Sequence, residues 1–254
     1  MDLASPQKIL HSLSPDLALF LEKMREMGQE RNIPNISWNT AAFLQDTLQS
    51  RNISNILEIG PANGFSTMIL ALACPEAHVT SIECSRHAFE ELRYNIQAFS
   101  SMTNDEPCLP AGRWRMMNED GFFPADLPRK VTSDINQEKI GQFSLYYGDA
   151  REVLPAFLRW SAKVICSNPE SSIHDIPLRR FDCIFIDGAF RMTREFFDLS
   201  RPLLAPGGII ILDDAIKYRW KMEGFHEYLD EQGIVYELVQ TDPDDGVMVV
   251  ELPV

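Results

Sequence analysis

Basic residues are scarce in this chain: 23 Lys and Arg stand against 37 Asp and Glu, a net charge of −14. That balance argues against broad, sequence-independent nucleic-acid binding, which relies on clustered Lys and Arg to neutralise phosphates. It leaves room for a local basic patch. Cysteine is sparse too. Cys74, Cys84, Cys108, Cys166 and Cys183 show no paired spacing, so they are expected as reduced thiols of a cytoplasmic protein, not as a disulfide framework. No apolar run is long enough to cross a bilayer, and the N-terminal M-D-L-A-S-P lacks the basic and apolar regions of a signal peptide. Internal repeats are missing. What is there is 254 residues with 45% hydrophobic content, enough to bury one substantial α/β core and too little for a second full domain.

The most informative stretch is Glu58-Ile-Gly-Pro-Ala-Asn-Gly-Phe-Ser-Thr67, which lies between the apolar runs Ile53–Leu57 and Met68–Ala73. It has the pattern of a buried strand turning sharply into a helix, with glycines where the backbone bends or approaches a ligand. A dinucleotide fingerprint reads G-x-G-x-x-G and offers N–H groups to a pyrophosphate. Here the loop reads Gly60-x-x-x-Gly64, with Glu58 at the strand end. A carboxylate there repels phosphate and suits a ligand carrying an ammonium group. S-adenosylmethionine is such a ligand, cationic at sulfur and free of phosphate. The second strand, His78 to Glu83, ends in an acid 19 residues after Gly64, where this architecture holds ribose hydroxyls.

The chain alternates strands and helices. One or two amphipathic helices span residues 5–28, and another runs from Trp38 to Gln49 into strand one. Strand three is Phe143–Tyr147, strand four Phe181–Asp187 and strand five Ile209–Asp213. A helix from Lys217 to Gln232 follows. Two β segments, Ile234–Val239 and Val247–Glu251, then close a hairpin at Asp244-Asp245-Gly246. This predicts an α/β, doubly wound, Rossmann-like fold: a mostly parallel seven-stranded sheet with an antiparallel last strand and helices on both faces. Residues 1–52 form an N-terminal helical extension, 53–99 and 142–254 the core, and 100–141 an inserted loop region rich in Pro, Asn, Asp and Gly. Asp187 closes strand four, and Asp213 and Asp214 close strand five. Ligands in open α/β sheets bind outside the carboxyl ends of strands. Three carboxylates converging there suit a hard divalent cation such as Mg²⁺. The Asp213-Asp214 pair reads equally as a turn or a helix cap.

These residues carry a family resemblance. The stretches I-P-N-I-S-W (Ile33–Trp38), L-E-I-G-P-A-N-G-F-S-T, S-I-E (Ser81–Glu83), Y-G-D-A (Tyr147–Ala150), F-D-C-I-F-I-D-G-A (Phe181–Ala189), E-F-F-D (Glu195–Asp198), L-L-A-P-G-G-I-I-I-L-D-D (Leu203–Asp214) and D-G-V-M-V (Asp245–Val249) resemble the class I S-adenosylmethionine-dependent methyltransferases. More narrowly they are similar to the cation-dependent O-methyltransferases, the catechol and caffeoyl-CoA enzymes and the bacterial tRNA 5-hydroxyuridine branch. The resemblance covers nearly everything outside 100–141 and 161–180.

It implies cofactor contacts at Ile36, Glu58, Gly60, Pro61, Gly64, Ser66, Glu83, Asp149, Ala150 and Asp187. It also implies a catalytic cation on Asp187, Asp213 and Asp214, where the family usually has Asp followed by Asn. The family's lysine, three residues after the strand-four aspartate, is Phe190 here, with Arg191 beside it. A guanidinium stays protonated and is a poor base. The expected acceptor is a hydroxyl on a small aromatic or hydroxylated metabolite. Hydroxyuridine-type tRNA is the less suited alternative, and a cofactor-binding protein with little catalysis the other. A homodimer is implied by the resemblance alone. Arg113-Trp114-Arg115 in the insertion reads better as a Trp anchoring a loop between two solvated arginines than as an acceptor contact; Lys217, Arg219 and Trp220 after the strand-five acids are better placed to touch an acceptor, and read also as the opening of a helix.

Overall fold

A computed structural model describes residues 7–103, 136–167, 180–222 and 224–252. Three helices come first: α1 (Gln7–Leu10), α2 (Pro15–Glu30) and α3 (Trp38–Gln49). Ser14 and Ser37 cap α2 and α3 by accepting from the Leu17 and Thr40 N–H groups, which no helical carbonyl reaches. Helix α2 buries Leu17, Leu21, Met24 and Gly28, a stripe of helical period. The core continues as β1 (Asn55–Ile59), α4 (Phe65–Ala73), β2 (His78–Glu83), α5 (Arg86–Thr103), β3 (Asn136–Ile140), β4 (Phe143–Tyr147), α6 (Ala150–Ser167) and β5 (Phe181–Ile186). It ends with α7 (Thr193–Ser200), β6 (Leu204–Leu212), α8 (Phe225–Glu231), β7 (Tyr236–Gln240) and β8 (Gly246–Glu251).

Among the described residues the strands form one sheet of eight, in the order β3-β4-β2-β1-β5-β6-β8-β7. The run from β4 to β6 is parallel, while β3 and β8 lie antiparallel to their neighbours. The chain winds outward from β1 to β4, then crosses back to place β5 on the other side of β1. The topological switch point therefore lies between β1 and β5. Strand alternation divides the apolar side chains between two cores. Ile56, Cys183, Phe185 and Ile211 pack with α2, α3, α4 and α5; Leu57, Ile59, Ile184 and Ile210 pack with α6, α7 and α8. This is the doubly wound arrangement, with helices on both faces.

Two elements differ from the sequence expectation. The sheet has eight strands, not seven, because Asn136–Ile140, read as part of the insertion, pairs with β4. The segment N-Q-E-K-I is polar at four of five positions. It shows little apolar alternation because it is an edge strand, where charged side chains guard an open ladder. The second difference is the helix expected over Lys217–Gln232. Arg219–Lys221 forms a 3₁₀ turn, and α8 begins only at Phe225, after Gly224 adopts φ +78°. An apolar periodicity runs through this segment, but the left-handed glycine restarts the helix.

Helix α2 is tied to the core by Arg31, just past its C-terminus, whose two terminal nitrogens donate to the two oxygens of Glu91 in α5 at 2.6 and 2.9 Å. The Glu91 side chain is 6% exposed. Arg31→Ala strands that carboxylate without its partner and is expected to cost about 1–3 kcal/mol of unfolding free energy. Urea denaturation checks this, and an unchanged midpoint contradicts the tether.

Candidate active site

Strand register assembles the site. Ile59 lies opposite Ile82 on one side and Ile186 on the other, and Ile186 lies opposite Leu212. The next residues leave the sheet side by side: Gly60 from β1, Glu83 at the end of β2, Asp187 from β5 and Asp213 from β6. The ladder continues through them, with the Gly60 N–H donating to Ile82 O (3.1 Å), Asp187 N–H to Ile59 O (2.9 Å) and Asp213 N–H to Ile186 O (3.1 Å). Glycine is required at position 60. Its φ is +88°, and a Cβ there would stand 2.1 Å from the Asp187 carbonyl oxygen. Gly64, at φ +91°, would bring a Cβ 2.7 Å from Leu92 Cδ1. Of the three described non-glycine residues in the left-handed region, two belong to this site, Ala62 at φ 48° and Asp214 at φ 56°. Such conformations cost about 1–3 kcal/mol each and concentrate at functional sites.

A cavity of about 640 Å³ opens above these strand ends, within the range of small-molecule sites. Gly60, Ala62, Glu83 and Cys84 form one flank; Asp187, Phe190, Asp213, Asp214, Lys217, Tyr218 and Lys221 form the other. Arg25, Asn35, Ile36, Ser37 and Thr40 close it from the N-terminal helices, and Asp242–Asp245 from the β7–β8 turn. Ser37 Oγ donates to Asp242 at 2.6 Å and Asn39 Nδ2 at 2.8 Å, while the Thr40 and Thr241 hydroxyls meet at 3.0 Å. These bonds fix the lid of helices to the far sheet edge.

Of the residues singled out in the sequence, Ile36, Gly60, Glu83, Asp187, Asp213 and Asp214 meet on this cavity. Glu58 does not. Alternation turns its side chain to the α4 face, where it is fully buried and accepts from Ser66 Oγ (2.6 Å), Thr67 Oγ1 (2.6 Å) and Ser81 Oγ (2.7 Å). Burial raises its pKa, and the three hydroxyls oppose that rise. Glu58 thus pins the loop to α4 and β2, and the ammonium-facing carboxylate expected from the sequence is not its place. Ser66 shares that buried bond, and Pro61 and Gly64 are buried in the turn. Asp149 and Ala150 open α6 beside the Glu83 flank, where the Gly148 N–H donates to Glu83 O at 2.9 Å, but neither lines the cavity. Asp149 pairs with Arg151 at 2.5 Å, and those hydrogen bonds lower its pKa. Arg113, Trp114 and Arg115 lie outside the described residues. Arg219 and Trp220 border a separate shallow depression.

Carboxylate dominates the electrostatics. One oxygen each of Asp187, Asp213 and Asp214 lie within 4.8 Å of one another. Burial first, then the neighbouring acids, raises Asp187 well above the carboxylate range. Asp213 is pushed up to about 7 by burial, and Asp214 up to about 8 by burial and then by Asp213. Three oxygen donors held together against their repulsion fit a hard divalent cation, which replaces protons as the neutralising charge. Glu83, 7% exposed, accepts from the Ala62 N–H (3.1 Å) and Ser85 N–H (2.6 Å), and burial raises its pKa. Arg25, Tyr218, Lys221 and Asp242 are cavity residues that the sequence did not single out. Arg25 sits on the polar side of an ordinary amphipathic helix, and Asp242 meets Ser37 across 205 positions; neither leaves a local signal.

Residues 57–215 match a family model described as a methyltransferase domain. The fold is similar to that of an O-methyltransferase from Bacillus cereus in complex with SAH, with 20% identity, a TM-score of 0.62 and coverage of 92% of this chain and 90% of that one. A putative caffeoyl-CoA O-methyltransferase from Staphylococcus aureus is similar at 18% identity and TM-score 0.62, with 95% and 94% covered. The O-methyltransferase TomG from Streptomyces achromogenes, in complex with SAM, is similar at 18% identity and TM-score 0.62, with 92% and 89% covered.

Unfolded aspartates lose their protons near pH 4, whereas Asp213 and Asp214 keep theirs to about 7 and about 8. Between these limits unfolding releases protons, so stability falls as pH rises from about 4 to about 8. Metal-free protein should melt several degrees lower at pH 8.5 than at pH 6, and millimolar Mg²⁺ should recover most of the loss. The pair Asp213→Asn with Asp214→Asn should flatten both effects. A melting temperature independent of pH and Mg²⁺ would sink the carboxylate site.

Proposed function

The chain belongs to the methyltransferase-domain family, and on that premise we propose that it transfers a methyl group from S-adenosylmethionine to a hydroxyl of a small aromatic or hydroxylated acceptor, assisted by a divalent cation. The observation that carries this reading is the meeting, in one cavity, of the Gly60–Glu83 cradle with the Asp187, Asp213 and Asp214 cluster. The fold shared with O-methyltransferases supports it.

Bound there, S-adenosylmethionine supplies an electrophilic methyl group, and a divalent cation neutralises the acids and lowers the pKa of an acceptor hydroxyl. The residues present divide the remaining work. Glu83, its carboxylate oriented by the Ala62 and Ser85 N–H groups, is placed to accept from two vicinal ribose hydroxyls. Gly60, lacking a Cβ, lets the β1 and β5 ends close up beneath the ligand, and Glu58 holds that loop from beneath. Asp187, Asp213 and Asp214 would hold the cation. In the transfer, the acceptor oxygen forms a bond to the methyl carbon as the carbon–sulfur bond breaks, leaving S-adenosylhomocysteine and a released proton. Positioning contributes much of the acceleration, because two molecules must align at near-contact distance. Phe190 offers no proton acceptor, so the acid cluster, and a cation held by it, would serve the deprotonation that a lysine at that position would otherwise serve.

Calorimetric titration with S-adenosylmethionine should show saturable binding, weakened about 10–100-fold by Glu83→Gln, the cost of charged hydrogen bonds. With labelled cofactor, methylation of a hydroxylated aromatic should vanish with EDTA, return with Mg²⁺, and be lost in Asp213→Ala. Absence of cofactor binding in the parent protein overturns the reading. Turnover that ignores EDTA removes the cation from it.

A further inference from the structure

The acceptor side of the cavity carries one cation that none of its aspartates neutralises. Phe190 follows Asp187 by three residues, and Tyr218 follows Asp214 by four, with the Tyr218 N–H donating to Asp214 O at 3.2 Å. The two rings therefore grow out of the two acid-bearing segments, and they meet at 4.7 Å between centroids with planes 33° apart. Together they make an aromatic wall beside the acids. The following 3₁₀ turn closes with Lys221 N–H donating to Tyr218 O at 2.8 Å and folds the lysine back over the wall. Its Nζ lies 4.1 Å from the Tyr218 centroid and 5.2 Å from those of Phe190 and Trp220. Lys217, one turn earlier, is paired with Asp244 at 3.0 Å. Lys221 lines the same cavity yet, among the described residues, forms no ion pair. Cation–π contact positions an ammonium without cancelling its charge.

From this the structure assigns Lys221 as a specificity-determining residue: it selects an aromatic acceptor whose ring lies on Phe190 and Tyr218 and whose carboxylate pairs with the lysine, while its hydroxyl edge faces the aspartates. The inference rests on the reading of the site as a hydroxyl methyltransferase. Charge explains the selectivity. Of the three described basic residues lining the cavity, Lys217 is paired with Asp244 and Arg25 lies under the charges of Asp242 and Asp213, so Lys221, beside the aromatic wall, is the one left to admit the carboxylate and set which end of the ring enters first. A planar ring is also the shape that a tilted aromatic pair receives at low entropic cost.

The test compares 3,4-dihydroxybenzoate with its neutral methyl ester, by calorimetric binding in the presence of S-adenosylhomocysteine and Mg²⁺ and by kcat/KM. The parent protein should favour the acid at least about tenfold in both measurements, the worth of one charged contact. Lys221→Met, which keeps the apolar stem over Tyr218, should bring the acid-to-ester ratio to about one or below, and Lys221→Arg should restore most of the preference. Equal handling of acid and ester by the parent, or a ratio unmoved by Lys221→Met, overturns the assignment. Lysine-dependent binding of the acid with no methylation leaves the specificity role standing and overturns the methyl-transfer reading beneath it. Binding of neither compound overturns the role of Lys221.

Discussion

Parallel strands that end at one level expose their last residues in a row, and everything distinctive about this protein follows from that row. Ile82, Ile59, Ile186 and Leu212 are aligned by register, so Glu83, Gly60, Asp187 and Asp213 emerge together on either side of the switch point. The close approach of β1 and β5 leaves no room for a side chain at position 60, where a Cβ would strike the Asp187 carbonyl. A shift of one residue in any of these pairings would turn each of these side chains to the opposite face of the sheet. The site is therefore a property of register before it is a property of any catalytic group.

Register also explains why the acids are so heavily perturbed. Placing carboxylates at neighbouring strand ends, under a lid of helices, strips them of water and crowds like charges. Two solutions are visible. Glu58, pointing away from the cavity, is satisfied by three hydroxyls and becomes structural. Among the described residues Asp187, Asp213 and Asp214 have no comparable set of donors, and burial and mutual repulsion hold their protons to unusually high pH. The same residue chemistry thus yields a buried brace on one face of β1 and a crowded acid cluster at the ends of β5 and β6. Only the second has reason to recruit a cation.

Much of this was legible in the sequence. The loop from Gly60 to Gly64, the β2 acid and the strand-end aspartates announce themselves because turn chemistry and strand endings are local. The strand-one and strand-two boundaries follow from apolar runs of the right length. What was not legible is of two kinds. The partners of Glu58 were not legible, because alternation turns its side chain to the α4 face and the hydroxyls that meet it there lie up to 23 positions away. The edge strand Asn136–Ile140 was missed because an edge advertises charge where an interior strand advertises apolar residues. Arg25 and Asp242 join the cavity through packing between distant segments, which a local pattern does not encode, and Lys221 joins it through a 3₁₀ turn that interrupts the helix expected there.

Phe190 is the point where these themes meet. An aromatic in place of a lysine three residues past Asp187 looks, in sequence, like a lost function. In the structure it is one half of a wall whose other half is Tyr218, and the cation that rests on this wall comes from Lys221, 31 positions on. The ammonium has not returned to the place a lysine at 190 would occupy. It lies against the rings of Tyr218, Phe190 and Trp220 and, among the described residues, forms no ion pair with an aspartate, the arrangement on which the proposed selection of the acceptor rests. On the proposed reading, a site keeps a basic residue beside the acids while exchanging one that would serve the reaction for one that sorts the acceptor.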